Sequence, residues 1–282
     1  MPELELETVI YEVEEPVATI SLNRPAALNA WTHQMGIDLR AAFTAAHHDP
    51  RVVGIILTGA GRGFCAGADM NLLGGLSGAD GEQEGVEIHR EPPPGDPDWP
   101  ADLRNEYTYF LSIPKPVICV INGAVAGMGL PVALACDIRF MSDDAVITTS
   151  YSHRGLIAEY GVATFLSRLV GPAKALDLLF TSRKVKGPEA EQLGLVNKSC
   201  PADEVLDYAK AYIRGLAEQA SPTSMAVMKR QLYSELYKGF EQISRDAEKE
   251  MLASFVRPDF VEGVTAYREK RAPSFGRIGD AG

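Results

Sequence analysis

Short, wholly apolar runs alternate with amphipathic stretches through the first half of the chain, while the second half is amphipathic almost throughout. Val9 to Val13 and Val17 to Leu22 are β-rich runs separated by Glu14-Glu15-Pro16, which predicts an N-terminal hairpin. From Thr32 to His47 the apolar residues Met35, Leu39, Ala42, Phe43 and Ala46 recur at a helical period, with Thr32 in position to cap the helix. Val52 to Leu57 is a continuous apolar run of the kind found in strands buried on both faces. Strand, helix, strand recurs when Pro116 to Ile121 predicts a buried strand, Leu130 to Cys136 a short helix and Ile138 to Met141 another strand. Beyond these, Ala173 to Thr181, Pro188 to Leu193, Asp203 to Gln219, Ser224 to Tyr237 and Ile243 to Leu252 predict helices. The expectation is an α/β core over residues 1–200 and a helical region over 201–282.

Between Leu73 and Trp99 the chain is rich in glycine, proline and acidic residues, which predicts a long loop of the functional or mobile kind. A length of 282 residues with 46% hydrophobic content provides for a sizeable core. No apolar run approaches the roughly 20 residues of a membrane-spanning helix, and Met1 to Glu7 is acidic rather than basic, so a cytoplasmic protein is expected, with no membrane partner. The four cysteines, Cys65, Cys119, Cys136 and Cys200, are far apart and have no metal-ligand spacing; they are expected as buried thiols, with no metal site. A net charge of −11 argues against nucleic acid as a partner, while leaving room for a local basic pocket that takes a phosphate.

Two glycine-rich segments carry the chemistry. The first, Gly59-Ala60-Gly61-Arg62-Gly63-Phe64-Cys65-Ala66-Gly67-Ala68-Asp69-Met70, leaves a buried strand, but Phe64 breaks the dinucleotide spacing G-x-G-x-x-G. Its small residues at 66 to 68 let a ligand approach the backbone; a tight strand exit without a ligand is the plain alternative. The second, Asn122-Gly123-Ala124-Val125-Ala126-Gly127-Met128-Gly129-Leu130-Pro131, leaves another buried strand and opens a helix with Pro131 in its first turn. The N–H groups around Met128 and Gly129 are then left without helical partners. Two such sites supply what an oxyanion hole needs, two donors converging on one oxygen.

These segments, together with Leu22-Asn23-Arg24-Pro25-Ala26-Ala27-Leu28-Asn29-Ala30, Ile113-Pro114-Lys115-Pro116-Val117-Ile118, Cys136-Asp137-Ile138, Phe260-Val261-Glu262-Gly263 and Glu269-Lys270-Arg271, resemble the crotonase (enoyl-CoA hydratase/isomerase) family from end to end. The resemblance implies a spiral of ββα repeats with a helical C-terminal region that forms trimers or dimers of trimers. It implies an acyl-CoA thioester as substrate, with no cofactor besides the coenzyme A that the substrate carries. Ala68 and Met128 would supply the oxyanion N–H groups, and Ala26, Leu28, Ala66, Asp69 and Met70 would line the coenzyme A channel. Lys270 resembles the tail lysine that reaches the phosphates, and the loop from Leu73 would shape the acyl pocket.

The sequence also departs from that family. The positions of the two hydratase glutamates hold Pro131 and Tyr151, and Met128 replaces the usual glycine of the second oxyanion position. Tyr151 is a candidate substrate contact, as donor, acid or wall. The acidic residue left nearby is Glu159, at a position where dienoyl-CoA isomerases of the family carry a proton-moving aspartate; its alternative is a solvated carboxylate capping the next helix. One carboxylate suffices for a double-bond shift, whereas hydration conventionally divides the work between two, so isomerisation is the expected reaction, ahead of hydration. Hydrolysis, decarboxylation or carbon–carbon cleavage on the same scaffold, and a binding protein without chemistry, stay open. No G-x-S-x-G elbow is present to supply a serine nucleophile.

Overall fold

A computed structural model describes residues 4–69, 94–97, 99, 103–234 and 238–278. Most of the loop expected from Leu73 to Trp99 therefore lies outside the described residues, as does Met70. Two sheets organise the chain. The larger has six strands: β1 (Val9–Glu14), β2 (Val17–Leu22), β3 (Gly54–Gly59), β5 (Val117–Ile121), β7 (Ile138–Ser142) and β10 (Lys198–Cys200), in that spatial order. β1 and β2 form the expected antiparallel hairpin, and every later neighbour is parallel. The smaller sheet has β4 (Gly63–Cys65), β6 (Ala124–Ala126), β8 (Val146–Thr148) and β9 (Val185–Lys186). Each turn of the chain places one strand in the large sheet and the next in the small one: β3 then β4, β5 then β6, β7 then β8. This is the α/β spiral with a helical C-terminal region.

The central strands of the large sheet are buried on both faces because both alternating sets of their side chains are apolar. Ile55, Leu57, Cys119 and Ile121 point into the main core, and Ile56, Ile118 and Val120 point to the opposite face. On the core side α1 (His33–His48) buries Met35, Leu39, Ala42, Phe43 and Ala46, and the Thr32 hydroxyl caps it by accepting from the Met35 N–H at 3.2 Å. The turn made by β5 and β6 ends in α2 (Gly129–Leu134), α3 (Val162–Val170) and α4 (Pro172–Thr181) lie between β8 and β9, and α5 (Gly187–Leu193) follows β9. The opposite face is covered by α6 (Val205–Gln219), whose Val205, Ala209 and Ile213 follow the i, i+4, i+8 spacing of one helical stripe. Each such side chain removed from water stabilises the fold by about 1.5 to 3 kcal/mol before entropy is counted. The four cysteines are buried free thiols.

The remaining helices are α7 (Pro222–Ser234), α8 (Phe240–Ser254) and α9 (Pro258–Glu269). Two of the nine described helices, α3 and α9, are not predicted by the periodicity. α3 has nine residues and a glycine, Gly161, as its N-cap, with no side-chain capping bond. α9 buries only Ala266 within the chain, so no apolar stripe marks it. The small sheet also escapes prediction, because strands of two or three residues are too short for an alternation to register.

The helical region is fastened to the sheet by one partly dehydrated charge cluster. The Asp137 carboxylate accepts from the Val117 N–H at 2.7 Å, from the Lys229 ammonium of α7 at 2.7 Å and from the Tyr233 hydroxyl at 3.0 Å. Lys229 also donates to the carbonyls of Phe110 and Lys115. The side chains of Lys229 and Asp137 are only 8% and 16% exposed. Removing one partner leaves the other charge uncompensated in a poorly solvated place, which is costly. Asp137→Ala is expected to lower the unfolding free energy by about 3 kcal/mol, read from urea titration, with faster amide exchange in α7 than elsewhere. A loss below the scatter of surface substitutions would show that the cluster does not hold the helix.

Candidate active site

Two asparagines, Asn29 buried and Asn122 half-buried, shape the first glycine-rich turn. Asn29 is fully buried; its Nδ2 donates to the carbonyls of Gly63 at 2.7 Å and Ala60 at 3.0 Å, and its Oδ1 accepts from the Arg24 N–H at 2.7 Å. Asn122 accepts from the Gly59 N–H at 3.1 Å and donates to the Gly61 carbonyl at 2.9 Å. Between them they satisfy a turn that would otherwise expose or orphan its peptide groups. The chain that follows β4 then runs beside Trp31: Trp31 N–H donates to the Gly67 carbonyl at 2.8 Å, and Asp69 N–H donates to the Trp31 carbonyl at 3.0 Å. That bridge uses the peptides on either side of Ala68 and leaves its own N–H over.

The exit of β6 lies alongside, because β4 and β6 are parallel neighbours. Gly67 and Gly127 both have positive φ, +116° and +47°, and a Cβ on Gly127 would stand 3.6 Å from the Gly67 Cα. A Cβ on Gly129 would overlap the Cys65 carbonyl oxygen. The Gly129 contact with the Cys65 carbonyl therefore admits only glycine, and the positive φ of Gly67 and Gly127 favours it at those two positions. Met128 follows with helical dihedrals as the N-cap of α2, and its side chain is buried. Among the described residues the N–H groups of Ala68 and Met128 donate to no acceptor.

A cluster of phenols and one carboxylate completes the region. Tyr151 follows β8, is 3% exposed, and donates from its hydroxyl to the Gly127 carbonyl at 3.1 Å. Burial pushes its pKa well above the tyrosine range, and the charge of Glu159 adds to the shift. Tyr160 is raised in the same way, by burial and by Glu159, and its ring packs tilted against Tyr107 with centroids 4.2 Å apart, with Trp31 a further 5.6 Å from Tyr107. These phenols stay protonated, so they hydrogen-bond or wall and do not serve as phenolate bases. The Glu159 carboxylate makes no hydrogen bond or ion pair among the described residues, and burial raises its pKa above the ordinary 4.5. It does not cap α3, whose N-cap is Gly161 without a side-chain bond, so the capping alternative is removed. An unpaired carboxyl of raised pKa is suited to taking and returning a proton.

The coenzyme A candidates gather on one side of the same turn. Ala26 lies in the short 3-10 turn Pro25–Ala27, and Leu28 follows with left-handed dihedrals. Ala66 N–H donates to the Leu28 carbonyl at 3.1 Å. The carboxylate of Asp69 is engaged by Arg24 at 2.9 Å. Lys270 ends α9 in a left-handed conformation, is exposed, and no contact among the described residues joins it to this region. Pro131 is buried in the first turn of α2. The sequence reading did not single out Trp31, Tyr107 or Tyr160. Only the rarity of tryptophan could have flagged the first, and no local pattern announces the other two. No group of three or more His, Cys, Asp or Glu among the described residues could hold a metal ion.

The family model described as enoyl-CoA hydratase/isomerase matches residues 12–277. A probable enoyl-CoA hydratase of Mycobacterium bovis is 30% identical over 270 residues, covering 95% of this chain and 98% of that protein. A 1,2-epoxyphenylacetyl-CoA isomerase of Escherichia coli is 30% identical over 276 residues, covering 96% of this chain and 98% of that protein. Among solved structures, an enoyl-CoA hydratase from Polaromonas sp. JS666 superposes with a TM-score of 0.83 at 26% identity, covering 95% of this chain and 99% of that one. The match spans both glycine-rich strand exits, both sheets and the helical region, and the chain belongs to the enoyl-CoA hydratase/isomerase family, the crotonases.

Proposed function

We propose that the protein is an acyl-CoA enzyme that polarises a thioester carbonyl between the N–H groups of Ala68 and Met128 and uses Glu159 to move a proton, shifting a double bond of an enoyl-CoA. The observation that carries this reading is the pair of adjacent strand exits, each with an N–H that has no acceptor among the described residues. A thioester enolate concentrates negative charge on one oxygen, and two fixed donors in a poorly solvated turn stabilise it more than they stabilise the neutral carbonyl. Removal of a proton next to the carbonyl becomes easier by that difference. Glu159 takes the proton at one carbon and returns it at another.

Isomerisation is preferred to hydration for a reason of composition and geometry. The two positions that hold glutamates in hydratases of the family are Pro131, which has no proton to exchange, and Tyr151, whose hydroxyl is committed to the Gly127 carbonyl. That leaves one carboxylate for the chemistry, and one is enough when the proton leaves and re-enters the same molecule. Relatives named as an acyl-CoA isomerase and as enoyl-CoA hydratases are equally similar to this chain, so both kinds of chemistry occur among its relatives. The reaction as written needs no group beyond the coenzyme A of the substrate. Ala26, Leu28, Ala66 and Asp69 flank the channel in this proposal, and Lys270 meets the phosphates. Self-association as trimers or pairs of trimers accords with apolar side chains left exposed on the last three helices, among them Met228, Leu252, Phe260 and Tyr267.

Glu159→Gln is expected to lower kcat for enoyl-CoA isomerisation by about 100-fold or more, with KM nearly unchanged. The wild-type rate should fall as pH drops through a pKa above 4.5, because Glu159 must be ionised to take the proton and burial raises its pKa. That acid limb should vanish in the variant. A variant with wild-type turnover and the same limb would place the base elsewhere. Lys270→Ala should raise KM for a full-length acyl-CoA about 10-fold and leave kcat alone, since an ammonium acts on phosphate as a point charge. Equal affinity of the two proteins, measured by calorimetry, would remove Lys270 from the phosphate site.

A further inference from the structure

We propose that Tyr151 is a positioning residue for catalysis: its hydroxyl holds the peptide between Gly127 and Met128 so that the Met128 N–H faces the thioester oxygen as a strengthened donor. This rests on the proposed role of the Met128 N–H. Three consecutive rungs of the small sheet converge here: β4 leads to Ala68, β6 leads to Met128, and β8 leads through Ser150, at φ +60°, to Tyr151. The carbonyl of Gly127 and the N–H of Met128 belong to one planar trans peptide and point to opposite sides of it. Whatever fixes the carbonyl therefore aims the N–H.

Gly127 has no side chain to restrain it and sits at φ +47°, so the restraint on this peptide comes from outside. Its carbonyl oxygen accepts twice, from the Leu130 N–H at 3.0 Å and from the Tyr151 hydroxyl at 3.1 Å. The first bond belongs to the opening turn of α2. The second comes from another strand and ties the peptide to the rest of the sheet. A donor on a peptide oxygen also draws electron density from the nitrogen, which makes the N–H on the far side a better donor. Tyr151 is held in its turn, since its carbonyl accepts from the N–H groups of Arg154 and Leu156 at 2.9 and 3.0 Å. Phenylalanine would fill the same buried space, so the hydroxyl alone carries the proposed effect. In this chain a phenol that acts through the peptide thus stands where a hydratase has a glutamate that acts on water.

The test reads the thioester carbonyl itself. Butanoyl-CoA labelled with carbon-13 at the carbonyl has no double bond to move, and its carbonyl stretch falls in frequency when donors polarise it. Bound to the wild-type enzyme, the band is expected below that of free butanoyl-CoA; in Tyr151→Phe about a third of that displacement should be lost. kcat for an enoyl-CoA should fall about 10-fold with KM within about twofold. A second variant, with difluorotyrosine at 151 and measured at mildly acidic pH where the phenol is protonated, keeps the fold and donates more strongly, so the displacement should grow. A full wild-type displacement and kcat in Tyr151→Phe, or a band indifferent to fluorination, would overturn the positioning role while leaving the two N–H donors in place. A wild-type band that coincides with free butanoyl-CoA would overturn the donor pair, and the positioning role with it.

Discussion

The contact between two peptide turns, Gly67-Ala68 on one side and Gly127-Met128 on the other, sets the terms for everything around it. At this contact no Cβ is available on either glycine, and the Gly129 position abuts the Cys65 carbonyl with no room for one. The parallel register of β4 and β6, Gly63 opposite Ala124 and Cys65 opposite Val125, brings the two turns together. A Cβ on Gly129 would overlap the Cys65 carbonyl and push the two strand exits apart, and with them the two N–H groups that the proposed chemistry needs on one atom, whereas at Gly67 and Gly127 it is the positive φ that favours glycine. The small sheet is only two or three residues deep, so it cannot hold that register by itself. The large sheet, filled on both faces, supplies the rigidity, and the two asparagines transmit it to the turn.

Polar groups are treated in two opposite ways in this structure. Those that hold the glycine-rich turn and the sheet are paired: Asn29 and Asn122 are satisfied by peptide groups, and the buried ammonium of Lys115, its pKa pushed down to about 8 by burial, donates to the carbonyls of Ala46 and Asp49, although the buried Tyr109 hydroxyl elsewhere in the core has no hydrogen-bond partner among the described residues. Those proposed to do chemistry are left unpaired: the N–H groups of Ala68 and Met128, and the carboxyl of Glu159. An unpaired carboxyl costs stability, and the sign follows from linkage. Glu159 has a higher pKa folded than unfolded, so the native state holds its proton more tightly. The contribution to stability falls as pH rises from the unfolded pKa through the folded one, and at neutral pH the ionised form is a net cost. Scaffold pairs such as Asp137 with Lys229 offset costs of this kind.

How much of this was legible in the residues depended on how local the cause was. α1 could be read nearly to the residue, because its cap and its apolar stripe lie within one stretch, Thr32 to Ala46. The buried strands β3 and β5 were legible from their composition alone. α3 and α9 were not, since one lacks a capping side chain and the other buries almost nothing within the chain. At the site, the glycine-rich strand exits announced unpaired N–H groups near Ala68 and Met128. The bond from Tyr151 to Gly127 could not be foreseen, because it joins residues 24 apart through two strands of a sheet too short to predict. The contact of Tyr107 with Tyr160 is hidden because it joins two residues far apart in the chain and outside any strand or helix.

The central claim is that the protein makes a thioester enolate, and the most direct measurement is exchange of the protons on the carbon next to the carbonyl. Butanoyl-CoA incubated with the enzyme in deuterium oxide and followed by proton NMR should lose the signal of those protons alone, at a rate far above that in buffer. The distal methyl protons, which are not acidified by the carbonyl, should keep theirs. Tight binding of butanoyl-CoA with no exchange above the buffer rate would contradict the account, since the N–H pair would then hold a carbonyl without stabilising its enolate.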